Sequence, residues 1–348
     1  MTVLKWLGLL FLVLTGAGML ALIWLTTARP DLSEFDNLYA SPAQSPVTVR
    51  FFGTSSMMFS DGETKIIIDG WFTRPSTRDI FLGKIEPDIK AIDDGLARLG
   101  SPEIAALVAV HSHLDHAMDV AEVAKRTGAL LVGSDSTANI GRGGGLPENQ
   151  IKVVEDGETL RFGDFSVSLI ETRHFESPND FFTEADPFIN EPLTPPVSAF
   201  AYRQGKAYSV LIEHPDGSAL IQSSAGFEAG ALKELDVDVV YLGVGFLTSQ
   251  TPDYQDAYWR EVVTATDPEG IYIIHWDSFS RPLAETAEYP AAPIRLWNDI
   301  FGMRTKTSVN FAVGRAQMHG ISAALLPMWE EVDAFQVALD PSYASSQY

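Results

Sequence analysis

His111-Ser112-His113-Leu114-Asp115-His116 follows directly on the apolar run Ile104 to Val110, and this junction decides how the chain is read. Seven histidines occur in 348 residues, and three of them share these six positions with an aspartate. An unbroken apolar run that stops at polar ligands is how a buried strand looks when it delivers side chains to its C-terminal edge. On an extended chain residues i and i+2 point the same way, so His111 and His113 can grip one cation. Asp115 and His116, past the turn, can face a neighbouring one. Imidazole with carboxylate suits zinc, manganese or iron better than a thiolate-seeking metal. The chain has no cysteine, which excludes disulfides, thiol catalysis and Cys-ligated zinc.

Outward from this junction the pattern is strand-rich. Upstream, Val47 to Gly53 and Lys65 to Asp69 read as strands around an Asp61-Gly62 turn, which gives a β-meander opening. Downstream, Asp119 to Thr127 carries a helical pattern stopped by Gly128, and Leu130 to Val132 and Ile151 to Val154 read as strands. Glu158 to Thr172 reads as a hairpin about Gly163-Asp164, and Tyr208 to Gln222 as a second about Pro215-Asp216-Gly217. A helix over 229–235, a strand Val237 to Leu242, a helix over 254–265 and a strand Ile271 to Ile274 follow. Meander strands, a helix, then a second set of strands and helices predict an α/β fold with two stacked sheets inside and helices outside. Phe175 to Pro196 is a long connection whose Phe181, Phe182 and Phe188 suit either a lid or an ordinary packed loop. Beyond Arg281, Trp297, Phe301 and the 303–328 segment either close the second sheet, line a pocket or support a dimer.

Trp6 to Leu25 is apolar apart from Thr15, long enough at ~1.5 Å per residue to cross a ~30 Å hydrocarbon layer. Residues 1–28 are therefore expected to be a transmembrane anchor, with a cleaved signal peptide ending near Thr26-Thr27-Ala28 as the alternative. Lys5 and the terminal amine, set against Arg29 and the acidic Asp31, Glu34 and Asp36, favour a cytoplasmic N-terminus and a periplasmic or extracellular body. Residues 29–46, rich in Pro, Ser, Ala and Asp, read as a tether, and 47–348 as the folded domain. A net charge of −22 works against nucleic acid and favours a small or neutral substrate.

Taken together, these residues resemble the metallo-β-lactamase superfamily from about Val47 to Leu283, and look closest to the branch of ascorbate-phosphate lactonases and the phospholipase D acting on N-acyl ethanolamine phospholipids. The His-x-His-x-Asp-His motif is matched without a mismatch at His111 to His116. His174, closing Ser168 to Arg173, and His275, after Ile271 to Ile274, stand where the family places two later histidines. Asp69 in Ile66-Ile67-Ile68-Asp69-Gly70 is similar to a strand-borne aspartate that orients the site. The resemblance implies a four-layer αβ/βα sandwich and two ligand sets, His111, His113 and His174 for one metal and Asp115, His116 and His275 for another.

One position departs from the family. Ser223-Ser224-Ala225-Gly226 follows the strand Ala219 to Gln222, where relatives carry a metal-bridging aspartate. Two states stay open: a dinuclear site without a protein bridge, or a mononuclear site in which Asp115 orients the attacking water or takes its proton. Asp277 can support His275, replace a ligand or sit solvated on a loop. His214 and His319 match nothing, and His214, beside a Pro-Asp-Gly turn, is expected to be exposed. The implied function is hydrolysis of an ester, lactone, amide or phosphodiester, with a lipid-like substrate suggested by the anchor and the phenylalanine loop. A fold retained only for binding is the rival.

Overall fold

The architecture comes from a computed structural model that describes residues 2–100, 103–175, 186–281 and 291–340. Residues Ile66, Ile67 and Ile68 show how the layers form. All three are fully buried, yet Ile66 and Ile68 join the core between the sheets while Ile67 joins a second core under the outer helices. Side chains alternate along a strand, so an all-apolar strand must have both faces covered.

The first sheet has the order β14-β1-β2-β3-β4-β5-β6. Its strands are β1 Thr48–Phe51, β2 Met57–Ser60, β3 Lys65–Ile68, β4 Ala106–Val108, β5 Leu130–Gly133 and β6 Ile151–Val153, with β14 Glu331–Asp333 from the C-terminal part. The meander β1 to β3 is antiparallel, and β3 to β6 run parallel. The second sheet runs β7 to β13 in sequential order: β7 Glu158–Phe162, β8 Phe165–Thr172, β9 Ala207–His214, β10 Gly217–Gln222, β11 Val239–Gly243, β12 Gly270–Ile274 and β13 Ser322–Leu325. Helices α2 Thr77–Leu82, α3 Ile89–Arg98, α4 Leu114–Ala117, α5 Val120–Thr127 and α6 Asp135–Gly143 belong to the first half, α7 Pro252–Trp259 and α8 Thr305–His319 to the second. Their apolar faces extend the two cores, as Ile92 and Val123 do on the first sheet and Tyr258 and Val309 on the second. This is the expected four-layer αβ/βα sandwich.

Ahead of it, α1 Thr2–Thr27 exposes Trp6, Leu14 and Leu20 by more than half. Among the described residues it is the one helix long and apolar enough, over Lys5–Thr27, to cross a membrane.

Four expectations are corrected. The tether at 29–46 is docked: Phe35 and Ala40 are buried, the amide of Ala40 donates to Leu325, and those of Gln44 and Ser45 donate to the Asp333 carboxylate. Its contacts are largely backbone ones, which leave no hydrophobic period to read. Residues 229–235 form successive turns, because Gly230 sits at φ +76 and the bonds from Ala231 to Glu228 and Leu235 to Leu232 span three residues only. The helix over 254–265 is α7 followed by a π-helical Arg260–Thr264. The side chain of His214 is 7 % exposed, packed between Phe165 and Phe335 with Asp61 at 3.7 Å.

The segment 303–328 supplies α8 and closes the second sheet with β13. Of the long connection, Phe181 and Phe182 lie outside the described residues, and Phe188 is 45 % exposed.

Gly95 in α3 meets the Phe72 ring where a Cβ would lie 2.2 Å from it, and Phe72 is itself stacked on Phe52 with centroids 4.9 Å apart. Alanine there gains ~1 kcal/mol of helix propensity but forces an overpacked contact costing ~1–3 kcal/mol. Gly95→Ala is therefore expected to lower the melting temperature of the full-length protein in calorimetry. An unchanged or higher melting point would show that Phe72 can turn aside.

Candidate metal centre

The ends of three strands, β4, β8 and β12, and the loops after them converge at one edge of the sandwich. Beyond β4 the chain passes through Val110 and presents His111; His113 has extended backbone and starts α4, whose first turn carries Asp115 and His116. His174 follows β8 and His275 follows β12.

The structure brings all six sequence-derived residues into two adjoining groups. In His111, His113 and His174 the ligand atoms all lie within 4.8 Å of one another, as they do in Asp115, His116 and His275. In the first group His111 Nε2 faces His113 Nδ1 at 3.1 Å, and the His174 ring lies 4.9 Å from each of the other two. In the second, Asp115 Oδ2 is 3.2 Å from His116 Nε2 and 3.3 Å from His275 Nε2, and those two nitrogens are 3.4 Å apart. The groups touch through His111 and His116, whose ring centroids are 3.8 Å apart.

Electrostatics favour a cation. Burial, followed by the neighbouring imidazoles His116 and His113, holds His111 well below the ordinary histidine range. Burial and then His113 do the same to His174. Both rings are thus neutral, with lone pairs free to coordinate. Burial also opposes charge on His116, but Asp115 and Asp69 outweigh it and push its pKa up to about 10. Burial would raise Asp115, and His116 with His275 overcome that, holding it well below the usual carboxylate range. Convergent nitrogens and one carboxylate, buried and positively compensated only by a proton, fit a divalent ion.

Behind the ligands lies a supporting shell. Asp69, at φ +60, accepts from the Val110 amide at 2.9 Å, the Ser55 hydroxyl at 2.5 Å and His116 Nδ1 at 2.8 Å. That last bond leaves Nε2 of His116 to the site, as a carboxylate behind a ligating histidine does. His275 is also left-handed at φ +59, and its amide donates to Thr54 O at 2.7 Å. Asp277 is neither a ligand nor solvated: its carboxylate accepts the Thr54 amide at 2.6 Å and lies 3.9 Å from the buried guanidinium of Arg74. Arg74 in turn donates to Thr54 Oγ1 at 2.8 Å and stacks on Trp71. Asp119 accepts from Phe72 and Thr73 amides and the Thr73 hydroxyl, fixing the loop after β3.

Sequence reasoning missed Ser55, Arg74 and Asp119, whose surroundings show no period or motif. A buried arginine between Trp71 and the His275-Trp276-Asp277 string carried no local signal either.

At the departure from the family pattern, Ser223 and Ser224 are buried at the end of β10. Asp115 is the one carboxylate that the two groups contain.

Two mixed sheets, helices outside and ligand-type groups at one edge reproduce the four-layer αβ/βα architecture that the resemblance to metallo-β-lactamases implies. The fold is metallo-β-lactamase-like. No protein-family model matches it. Among curated proteins it is similar to a UPF0173 metal-dependent hydrolase of Pyrobaculum islandicum, 23 % identical over 239 residues covering 66 % of this chain and 84 % of the relative. It is 25 % identical over 245 residues to a protein of the same name from Pyrobaculum calidifontis, covering 66 % and 84 %. Among solved structures it is similar to Igni18, a metallo hydrolase from Ignicoccus hospitalis, at 14 % identity and TM-score 0.43, covering 80 % of this chain and 94 % of that one. It is likewise similar to an isothiocyanate hydrolase from Delia radicum gut bacteria, at 14 % identity and TM-score 0.46, covering 80 % and 95 %.

Asp69→Ala takes away the carboxylate acceptor of His116 Nδ1 and leaves it only the Ser55 hydroxyl at 3.0 Å, and loss of such a carboxylate typically weakens metal binding about 10- to 100-fold. The expected result is that shift in zinc affinity, measured by competition with a chromophoric chelator. Unchanged affinity would mean that Asp69 serves the fold alone.

Proposed function

We propose that this protein is a metal-dependent hydrolase acting on an ester, lactone, amide or phosphodiester of a lipid-like molecule. The observation that carries the hydrolase reading is the pair of adjoining ligand groups, joined at His111 and His116 and containing a single carboxylate, Asp115. The name shared by its curated relatives, metal-dependent hydrolase, supports the same reading.

One or two divalent ions, zinc with manganese or iron as alternatives, supply Lewis acidity to such a site and bring the pKa of a water near neutrality. His111, His113 and His174 would hold the first ion, and Asp115, His116 and His275 the second. Where only the first is held, Asp115, ionised and set 3.2 Å from His116 and 3.3 Å from His275, would orient a water and accept its proton. Asp69 keeps His116 in one tautomer. Asp277 and Arg74, through Thr54, keep the His275 backbone in place.

Support for a lipid-like substrate comes from aromatic rings leading away from the site. Phe279 lies edge-on to His275 at 5.4 Å and continues through Trp297, 5.4 Å further on. α1 would anchor the protein in a membrane, with the catalytic body on the side opposite the N-terminus, periplasmic or extracellular. The net charge of −22 speaks against nucleic acid as substrate.

The test is turnover of chromogenic ester, lactone and phosphodiester panels by full-length protein, stripped of metal and reloaded. Activity should return with zinc, manganese or iron and fall by about three orders of magnitude in His111→Ala, the scale of losing a metal that activates water. Metal retained at full occupancy with no turnover on any panel would favour a binding scaffold, in keeping with Ser224 at the bridging place.

A further inference from the structure

A row of aromatic rings connects the metal centre to an exposed apolar face. From Phe279 and Trp297 it continues to Phe81, 5.6 Å from Trp297, and to Phe200, 6.2 Å beyond. Phe279 and Trp297 are buried, and Phe200 is 47 % exposed. Leu82, next to Phe81 at the end of α2, is 84 % exposed, and Ile300, next to the Phe301 that stacks on Phe81 at 5.2 Å, is 56 % exposed, with no described residue covering either. Isolated exposed apolar groups are ordinary, but here they cap one continuous row that ends on a site ligand.

The place where α1 leaves the domain adjoins this face. The Arg295 amide donates to Ala28 O at 2.8 Å, just past the end of α1, and the Arg295 guanidinium lies over the Trp24 ring. Ile300 is five residues further along the same helical segment. Tryptophan near a helix end belongs at the membrane–water boundary, so the domain surface holding Trp24 is held at that boundary too.

Charge agrees. In a chain of net charge −22, Arg78 and Lys84 flank Leu82 on the exposed side of α2. Arg29 lies close enough to Arg281 for the two charges to repel. Of the nearby acids, Asp299 pairs with Arg295, Asp79 accepts the Ser76 hydroxyl, and Glu86 is exposed beyond Lys84. Cationic side chains around apolar ones suit an anionic phospholipid surface.

We propose that the face carrying Leu82, Phe200 and Ile300 rests on the phospholipid bilayer crossed by α1, so that the aromatic row opens the metal centre toward that bilayer. This rests on α1 spanning a membrane and deepens the lipid reading. It does not depend on the bond cleaved.

The absence of cysteine allows single-site labelling of the full-length chain. Leu14→Cys, Leu82→Cys, Ile300→Cys and Glu63→Cys, the last on the exposed turn between β2 and β3 at the far end of the sandwich, are each labelled with bimane. They are then reconstituted in phosphatidylcholine–phosphatidylglycerol vesicles with or without lipids bearing a nitroxide near the head of the acyl chain. Expected is strong loss of fluorescence at Leu14→Cys, a clear loss at Leu82→Cys and Ile300→Cys, and none at Glu63→Cys. Loss at Leu14→Cys with positions 82 and 300 matching position 63 overturns the docking and leaves the anchor standing. No loss at any site overturns both. Shielding at 82 and 300 by a second copy, seen as disulfide cross-linking of unlabelled Leu82→Cys without lipid quenching, also overturns it. None of these readings depends on hydrolysis, so the enzymatic proposal stands or falls separately.

Discussion

The carboxylate of Asp69 has no access to water and three donors, and much of the molecule is arranged around satisfying it. The strand before it, Lys65–Ile68, buries isoleucines on both faces, so a one-residue slip would exchange apolar groups for apolar groups. Hydrophobic patterning alone specifies register weakly there. A buried carboxylate without partners costs several kcal/mol, so Asp69 admits one position only, opposite the Val110 amide and behind His116. Its left-handed backbone, with that of Thr54 and His275, costs of order 1–3 kcal/mol each and is held because these same bonds over-determine it. The pairing of the sheet and the aim of a metal ligand are thus one constraint.

The two ligand groups differ in charge. His111 and His174 contribute neutral nitrogens to the first group, whereas the second group has Asp115 in it and Asp69 directly behind. Without a cation the second group keeps a proton on His116 to balance its carboxylates. With serines at 223 and 224, no additional negative charge comes from the end of β10. The chain therefore concentrates its anionic character on one side of the centre.

What the sequence showed depended on how local each signal was. The meander, both hairpins, β5, β6 and β12 were legible because each carries its apolar run and its turn in one short stretch. The convergence of the six candidate residues was legible because histidine is scarce in this chain and followed strand ends. Helices α2 and α6 escaped because they are short, whereas α3, with Ile92 and Leu96 on one buried face behind an Asp88 cap, carried a signal of the same kind as α5 that went unread. The packing of residues 29–46 and the burial of His214 escaped because both are set by partners far along the chain, Asp333 for one and Phe335 for the other. Arg74 and Asp277 find each other across some two hundred residues, a distance no local pattern spans.

The first sheet takes its outermost strand, β14, from the end of the described chain, where residues 331 to 333 pair with β1 at 48 to 50. Tyr241 and Tyr272 of the second sheet reach the same segment, bonding to the carbonyls of Ala334 and Asp333. β1 is thus completed by a strand made about 280 residues after it. Until then its free edge is a template for unwanted pairing. Closure over so long a separation is slow, because the loop entropy is lost before the contacts compensate it. The candidate metal centre spans the same separation, because His111 follows β4 in the first sheet and His275 follows β12 in the second, so it is assembled only when both halves have come together.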